Sequence, residues 1–356
     1  MDRNIKKLRY LAIIFILVGL IIGGLNQGLP HLLGEDKIEL INLIYLIFEN
    51  VFRTIVVILA SYLSIKYYRD KKKDLSNFRK NNLMVLSLLM LTVYILFPVL
   101  FNSLSISSLF MPFAWSSFPF QIMHQGAFFS HQYNPDWSPD FILSIYLLFQ
   151  VTILIGTILI GRRWSCSMLC PFMAVHSESL GEALPLYKSP KVKKKIKDKK
   201  ILFYLKVFVL IFMGLIYLAW IVYFVFSFEI ISLGQLILLE KIKYIVFEVL
   251  LAYLLWIFMS PRGYCNYCPA GTILGLVARL SGQRIETGLS KCTGCGLCNK
   301  ACPMNIDIRE MALNSEAVRD INCVGCGRCV EACPTNNLQY TSNFLKSIGA
   351  NINVSS

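Results

Sequence analysis

Six long apolar runs alternate with short polar stretches over the first 260 residues: roughly 9–29, 41–65, 82–101, 141–161, 201–228 and 243–260. A helix needs about 20 mainly apolar residues to cross a bilayer, and in lipid its backbone groups must be satisfied within the segment. The pattern predicts six membrane-spanning helices, the fifth long enough to tilt. The first run follows Arg3, Lys6, Lys7 and Arg9, as a signal peptide would. Its apolar stretch is too long for one and no small-x-small cleavage site follows, so it reads as an uncleaved helix. Beyond 260 the long runs stop, and 341–356 reads as a polar tail.

Composition supports this picture. The chain is 56% hydrophobic and 16% charged, too apolar for an ordinary soluble surface. A formal charge of +14 invites a nucleic-acid reading, but its placement argues against one. Lys66, Arg69, Lys71, Lys72, Lys73, Arg79 and Lys80 crowd one loop, and eight lysines stand against Asp198 in 188–200. The loop 102–139 has no Lys or Arg. This alternation is the positive-inside signature. It puts both termini and both basic loops on the cytoplasmic side of the cell's inner membrane, with 31–40, 102–139 and 229–242 facing outward. The lysines then meet anionic lipid headgroups, and no nucleic-acid partner is expected.

All twelve cysteines fall in four motifs on that cytoplasmic side. Cys292, Cys295, Cys298 and Cys302 precede Pro303 with the spacing C-x2-C-x2-C-x3-C-P, and Cys323, Cys326, Cys329 and Cys333 repeat it before Pro334. This is the spacing of a pair of [4Fe–4S] clusters in which the fourth Cys serves the other cluster. Cys292, Cys295, Cys298 and Cys333 are then one ligand set, and Cys323, Cys326, Cys329 and Cys302 the other. Gly294, Gly296, Gly325 and Gly327 let backbone N–H groups approach the sulfurs, which helps set the potential. Cytosolic thiols stay reduced, so grouped cysteines there are metal ligands or redox groups before they are disulfides. Residues 285–340 therefore read as an α+β bacterial-ferredoxin-like domain.

The remaining four form two pairs, Cys166/Cys170-Pro171 and Cys265/Cys268-Pro269, each just after an apolar run. Arg162, Arg163 and Arg262 precede them. A following Pro suits a helix's first turn, which would put the second Cys of each pair at a helix N-terminus and favour its thiolate. If the ends of helices four and six are neighbours, the four cysteines can hold a third Fe–S cluster at the membrane face. A metal-free redox pair and a helix-end docking turn remain open. The arginines can neutralise an anionic cluster, but Arg at a cytoplasmic helix end is commonplace.

Glu49 and Arg53 lie mid-helix, four apart on one face, and charges inside a membrane segment mark an ion pair, a proton path or a quinone site. Glu248 is similar. His124 and His131 sit in the long outward loop with Trp115, Phe118, Phe120, Phe128 and Phe129. The two histidines are candidates for quinone, metal or haem, set against ordinary hydrogen-bonding histidines, and the aromatics read as an interfacial belt. His176 follows the first pair on an amphipathic stretch.

Two Cys-Pro motifs at helix ends followed by a twin-cluster domain resemble the NapH/NosR-type membrane ferredoxins over about 140–340. Two departures matter. Cys265-x2-Cys268 is one residue shorter than the family spacing, and two extra N-terminal helices precede the core. The resemblance implies a membrane subunit of a quinol-dehydrogenase-like respiratory complex, exchanging electrons between quinone, cytoplasmic-side clusters and a redox partner protein. The full expectation is a polytopic α-helical membrane protein with four parts: an N-terminal hairpin 1–80, a NapH-like core 81–284, the ferredoxin-like domain 285–340 and the tail 341–356. The alternatives are an assembly or maintenance factor that reduces a metal or cofactor for a partner enzyme, and a redox sensor. Nothing in the sequence suggests a pocket for bond-making chemistry.

Overall fold

The computed structural model describes residues 3–28, 35–70, 77–111, 138–171, 174–187, 199–225 and 232–349. His124, His131, the loop aromatics from Trp115 to Phe129 and most of the lysine tract lie outside these residues. The chain is mostly helical. Helix α1 is Arg3–Gly28; α2 joins Glu35–Ile47, Phe48–Phe52 and Arg53–Asp70; α3 joins Asn77–Leu91, Thr92–Leu96 and Phe97–Leu100. Helix α4 is Pro139–Ile160, α5 is Ala174–Ser179, and α6 is Lys199–Val225. Helix α7 joins Leu233–Lys243, Tyr244–Leu250 and Leu251–Phe258, and α8 is Pro269–Val277.

Among the described residues, five stretches are long and apolar enough to cross a membrane: Arg3–Asn26, Leu40–Asp70, Arg79–Leu100, Asp140–Ile160 and Lys200–Phe224. Their outer faces carry large exposed apolar side chains such as Leu88, Leu148 and Phe203, which water would penalise and lipid would not. The sixth expected span is helical too, but α7 carries Glu240, Lys241, Lys243 and Glu248. Lys243 sits 2.6 Å from Glu240 and 3.5 Å from Glu248, so these charges compensate one another inside the helix.

Local signals explain the helix ends. Ser138 caps α4 by accepting the Phe141 N–H, and Gly161, at φ 93°, ends it. Ser232 and Gln235 form a capping box on α7. Four π-turns, Phe48–Phe52, Thr92–Leu96, Tyr244–Leu250 and Trp164–Leu169, hold Glu49 and Asn50, Tyr94, Glu248 and Cys166. Such bulges redirect side chains and are frequent at functional sites.

The C-terminal domain pairs strand β1, Arg284–Glu286, antiparallel with β2, Gln339–Thr341, so that Ile285 faces Tyr340. Between them run short helices α9 Leu297–Ala301, α10 Ile308–Leu313 and α11 Arg328–Glu331. Its core gathers Ile285, Met304, Ile306, Ile308, Val318, Val324, Val330 and Leu338. The stretch read as a polar tail begins with structure: α12, Asn343–Ser347, capped by Ser342. Ser342 Oγ and Tyr340 OH each donate 2.9 Å bonds to the carbonyls of Leu159 and Ile160, which the end of α4 leaves without helical partners.

The domain is fastened to the helix ends. Ser167 Oγ donates to the Val324 carbonyl at 2.7 Å, Ser260 Oγ to that of Pro303 at 3.2 Å, and Lys206 Nζ to Asn322 Oδ1 at 3.1 Å. Gln283 bridges the two parts, accepting from the Arg162 N–H at 2.6 Å and donating to the Cys323 carbonyl at 2.8 Å.

Candidate metal centres

Two cavities in the C-terminal domain are each lined by four cysteines. One, enclosing about 380 Å³ of atom-free space partly open to solvent, holds Cys302, Cys323, Cys326 and Cys329. The other, about 330 Å³, holds Cys292, Cys295, Cys298 and Cys333. Each set takes three cysteines from one run and the last from the other. The turns that expose them need glycine: Gly294, Gly296, Gly325 and Gly327 have φ between 65° and 74°, and Gly296 and Gly327 cap α9 and α11. The Gly294 N–H points at Cys292 Sγ at 3.5 Å and the Asn337 N–H at Cys333 Sγ at 3.4 Å.

Gly325 is also a point of close approach. A Cβ there would lie 2.7 Å from Arg163 Cβ and 3.0 Å from Tyr340, whereas one at Gly294 would meet nothing nearer than 3.5 Å. Gly294→Ala should cost the strain of a left-handed alanine, about 1–2 kcal/mol. Gly325→Ala should cost that and also lift the loop off Arg163, with iron lost from one cavity. Melting temperature and iron content per chain check the contrast.

The cavity of Cys302, Cys323, Cys326 and Cys329 is the deeper one. Burial pushes the Cys323 thiol up to about 12, and Cys326 and Cys329 upward as well. Cys295 is exposed, and backbone N–H donation, that of Leu297 first, draws its thiol down. Metal uptake by the buried thiols must expel protons, so loading should favour higher pH.

The other four cysteines come together where α4 and α7 end. Cys166 lies in the π-turn after α4, and Cys170 ends that turn in an extended conformation. Cys265 lies in the turn after α7, and Cys268 caps α8, accepting the Gly271 N–H at 3.2 Å. Cys166 and Cys170 both stand close enough to Cys265 and Cys268 to disfavour their charge. The expectation that a helix N-terminus would lower the Cys268 thiol is corrected: burial drives it well up, and one N–H donor does not offset that. Cys265 is raised for the same first reason.

Buried arginines tie the two pairs together. Arg262 is wholly buried and reaches four partners: the Cys166 carbonyl at 2.6 Å, Ser167 Oγ at 3.1 Å, Cys265 Sγ at 3.8 Å and Glu178 Oε1 at 2.5 Å. Burial opposes ionisation of Glu178, but Arg262, Arg328 and Arg79 outweigh it and hold the carboxyl below its usual range. Arg162, 2% exposed, donates from Nε to Cys166 Sγ at 3.2 Å and from Nη1 to the Ile321 carbonyl at 2.9 Å. No carboxylate pairs with it among the described residues. Buried charges are paired or face metal sites, and here the thiol set is what the guanidinium faces. Arg163 donates to Asn82 Oδ1 at 2.9 Å and lies over the Tyr340 ring; burial lowers it to about 9. The commonplace helix-end role for these arginines is therefore replaced by one inside the site.

Glu178 carried no sequence signal beyond an acid on an amphipathic stretch, and burial alone reveals it. His176 is buried between Phe15, ring centroids 4.4 Å apart, and Trp256 at 5.7 Å, inside the bundle. Glu49 and Arg53 do pair, and the guanidinium lies 4.3 Å from the centroid of Tyr94. Cys170 packs against the cluster that contains Tyr94. Among the described residues no three His, Cys, Asp or Glu side chains converge as they would on one metal ion. A cubane gives each thiolate its own iron, so its ligands stand apart around a cavity.

Residues 284–334 match a family described as a 4Fe-4S dicluster domain. The chain is similar to the uncharacterized protein MJ0749 of Methanocaldococcus jannaschii, 32% identical over 164 residues. That match spans 45% of this chain and 59% of the relative, less than two thirds of its length. It is also similar to the uncharacterized protein MJ0750 of the same organism, 28% identical over 173 residues, covering 48% of this chain and 70% of the relative. No solved structure matches. The chain thus carries a C-terminal ferredoxin-type iron–sulfur domain on a helical part compatible with a membrane, and the domain suggests electron transfer.

Proposed function

We propose that this chain is a membrane-embedded electron relay with three cysteine sites in series. In this reading, Cys292, Cys295, Cys298 and Cys333 hold an outer cubane, and Cys302, Cys323, Cys326 and Cys329 an inner one. Cys166, Cys170, Cys265 and Cys268 hold a further Fe–S cluster at the membrane face. When bound, such clusters supply one-electron chemistry, and the protein supplies binding, orientation and potential. The observation that carries the reading is the seam between the inner cavity and the four-cysteine site. Gln283, Ser167 and Arg162 bind the loop 321–324 directly to the Cys166 segment.

The chain's own groups suit the task. The exposed edge at Cys295 lets a partner protein approach the outer site. The buried thiols of the inner site exclude water. The Glu49–Arg53–Tyr94 group, packed near Cys170, is the candidate quinone or proton site on the membrane side. The NapH/NosR-like arrangement, with termini and cysteines cytoplasmic, six spans and a partner complex, belongs to the same proposal.

The test is iron content with redox-poised EPR on the purified chain and its Cys166→Ser/Cys265→Ser variant. Two cubanes bring about eight irons. The wild type should exceed that and the variant should fall to it, with one signal lost. Equal iron and unchanged spectra would sink the membrane-face cluster.

A further inference from the structure

The donors around the sulfurs differ in charge from site to site. In the outer cavity they are backbone N–H groups, of Gly294 to Cys292 and Asn337 to Cys333. In the inner cavity Cys323, Cys326 and Cys329 likewise receive backbone N–H groups, of Gly325, Arg328 and Val330. Of the cationic side chains near Cys326, Arg262 is bonded to Glu178 at 2.5 Å and Arg328 to Glu182 at 3.3 Å, while Arg163 donates to Asn82 rather than to a sulfur. At the four-cysteine site a charged donor points straight at sulfur, with Arg162 Nε 3.2 Å from Cys166 Sγ and no carboxylate among the described residues to neutralise it. Its guanidinium also fills the space beside Gly271, where a Cβ would lie 2.4 Å from Nη2, so it is walled in next to Cys268.

We infer that Arg162 makes the four-cysteine site the most oxidising stop of the relay, so that electrons run from the ferredoxin domain toward the membrane. The inference rests on the reading of that site as an iron–sulfur cluster. Reduction adds one negative charge to a cluster. A fixed positive charge and an N–H donor at the ligand sulfur stabilise that added charge, and both raise the potential. Burial works the other way, and it weighs more on the inner cavity, where Cys302, Cys326 and Cys329 are buried, than on the four-cysteine site, whose cysteines are half-buried. Arg162 also bears on Cys323 of the inner cavity, but the sulfur it donates to is that of Cys166. In each step the inner cubane is oxidised by one electron and the membrane-face cluster is reduced by it; no bond forms or breaks. A reduced one-electron carrier protein supplies the outer cubane, and an oxidised quinone takes the electron onward.

The experiment is an EPR redox titration of the full-length protein, as wild type, Arg162→Gln and Arg162→Lys. The signal that disappears in Cys166→Ser/Cys265→Ser identifies the site. In the wild type it should titrate above both other signals. In Arg162→Gln its reduction equilibrium against a fixed couple should weaken at least tenfold, a shift of about 59 mV for one electron. Arg162→Lys should restore part of it. A signal at or below the cubanes, or one unmoved in Arg162→Gln, overturns the direction while leaving the cluster in place. Should the cysteine variant lose no iron and no signal, both the cluster and the direction fall. The wild-type ordering decides the question even if Arg162→Gln does not fold.

Discussion

Replacing Arg262 by methionine should destabilise the chain by about 3–5 kcal/mol, the usual cost of leaving one partner of a buried ion pair alone. Arg262 and Glu178 are both wholly buried, and they meet at 2.5 Å. Without the guanidinium, the Glu178 carboxylate faces a desolvated interior. The Cys166 carbonyl and Ser167 hydroxyl lose a donor at the same time. The damage is also geometric, because Arg262 comes from the second cysteine segment and three of its partners, Cys166, Ser167 and Glu178, from the first segment and the helix after it. The double variant Arg262→Met/Glu178→Met removes the stranded charge and should regain most of the stability. It should not regain the iron of the four-cysteine site, since the Arg262 bonds to the Cys166 carbonyl and to Ser167 are still missing. Melting in detergent and iron content, measured on the single and double variants, separate the two effects. A single variant as stable as the wild type would remove Arg262 from the structural core of the site.

That bridge shows where sequence reading stops. Cysteine spacing works because cluster geometry dictates local chain geometry, and Cys302 lines the same cavity as Cys323, Cys326 and Cys329. Apolar run length predicts helices long enough to cross a bilayer, and five stretches among the described residues have that length, while α7 shows the limit, with Lys243 held between Glu240 and Glu248. Arg262 and Glu178 are 84 residues apart, and nothing local to either tells a lipid-facing arginine from one sealed in a protein seam. Cys268 failed for a related reason: its helix N-terminus is local and legible, its burial is tertiary and decides the sign. The π-turns at Glu49, Tyr94 and Glu248 were equally hidden, because a single widened turn leaves the apolar period almost unchanged.

Arg79→Met should loosen the ferredoxin domain from the helices, again at a cost of about 3–5 kcal/mol. Arg79, 1% exposed at the start of α3, donates to Glu182 at 2.7 Å, to Glu331 at 3.1 Å and to Tyr68 OH at 3.0 Å. Glu331 belongs to α11, which follows the inner cysteine loop, and Glu182 also accepts from Arg328. One side chain thus clamps the start of α3, the turn after α5 and the helix that follows the inner cysteine loop. The clamp has a pH signature. Burial favours the neutral Glu182 carboxyl, but Arg79 and Arg328 outweigh it and hold the group at about 2 against an ordinary 4.5. A carboxyl depressed in the folded state contributes stability that is complete above its unfolded value and is lost as pH falls toward its folded one. A shift of that size corresponds to about 3 kcal/mol. The stability gap between wild type and Arg79→Met should therefore be widest above pH 4.5 and narrow between about 4.5 and 2, by the part of the shift that Arg79 supplies, since Arg328 and Tyr68 keep theirs in the variant. Hydrogen exchange of the β1–β2 pair, compared in the two proteins across that range, reads the gap directly. Equal exchange at neutral pH would mean that the remaining seam contacts, from Gln283, Ser167, Ser260, Lys206, Tyr340 and Ser342, hold the domain without Arg79.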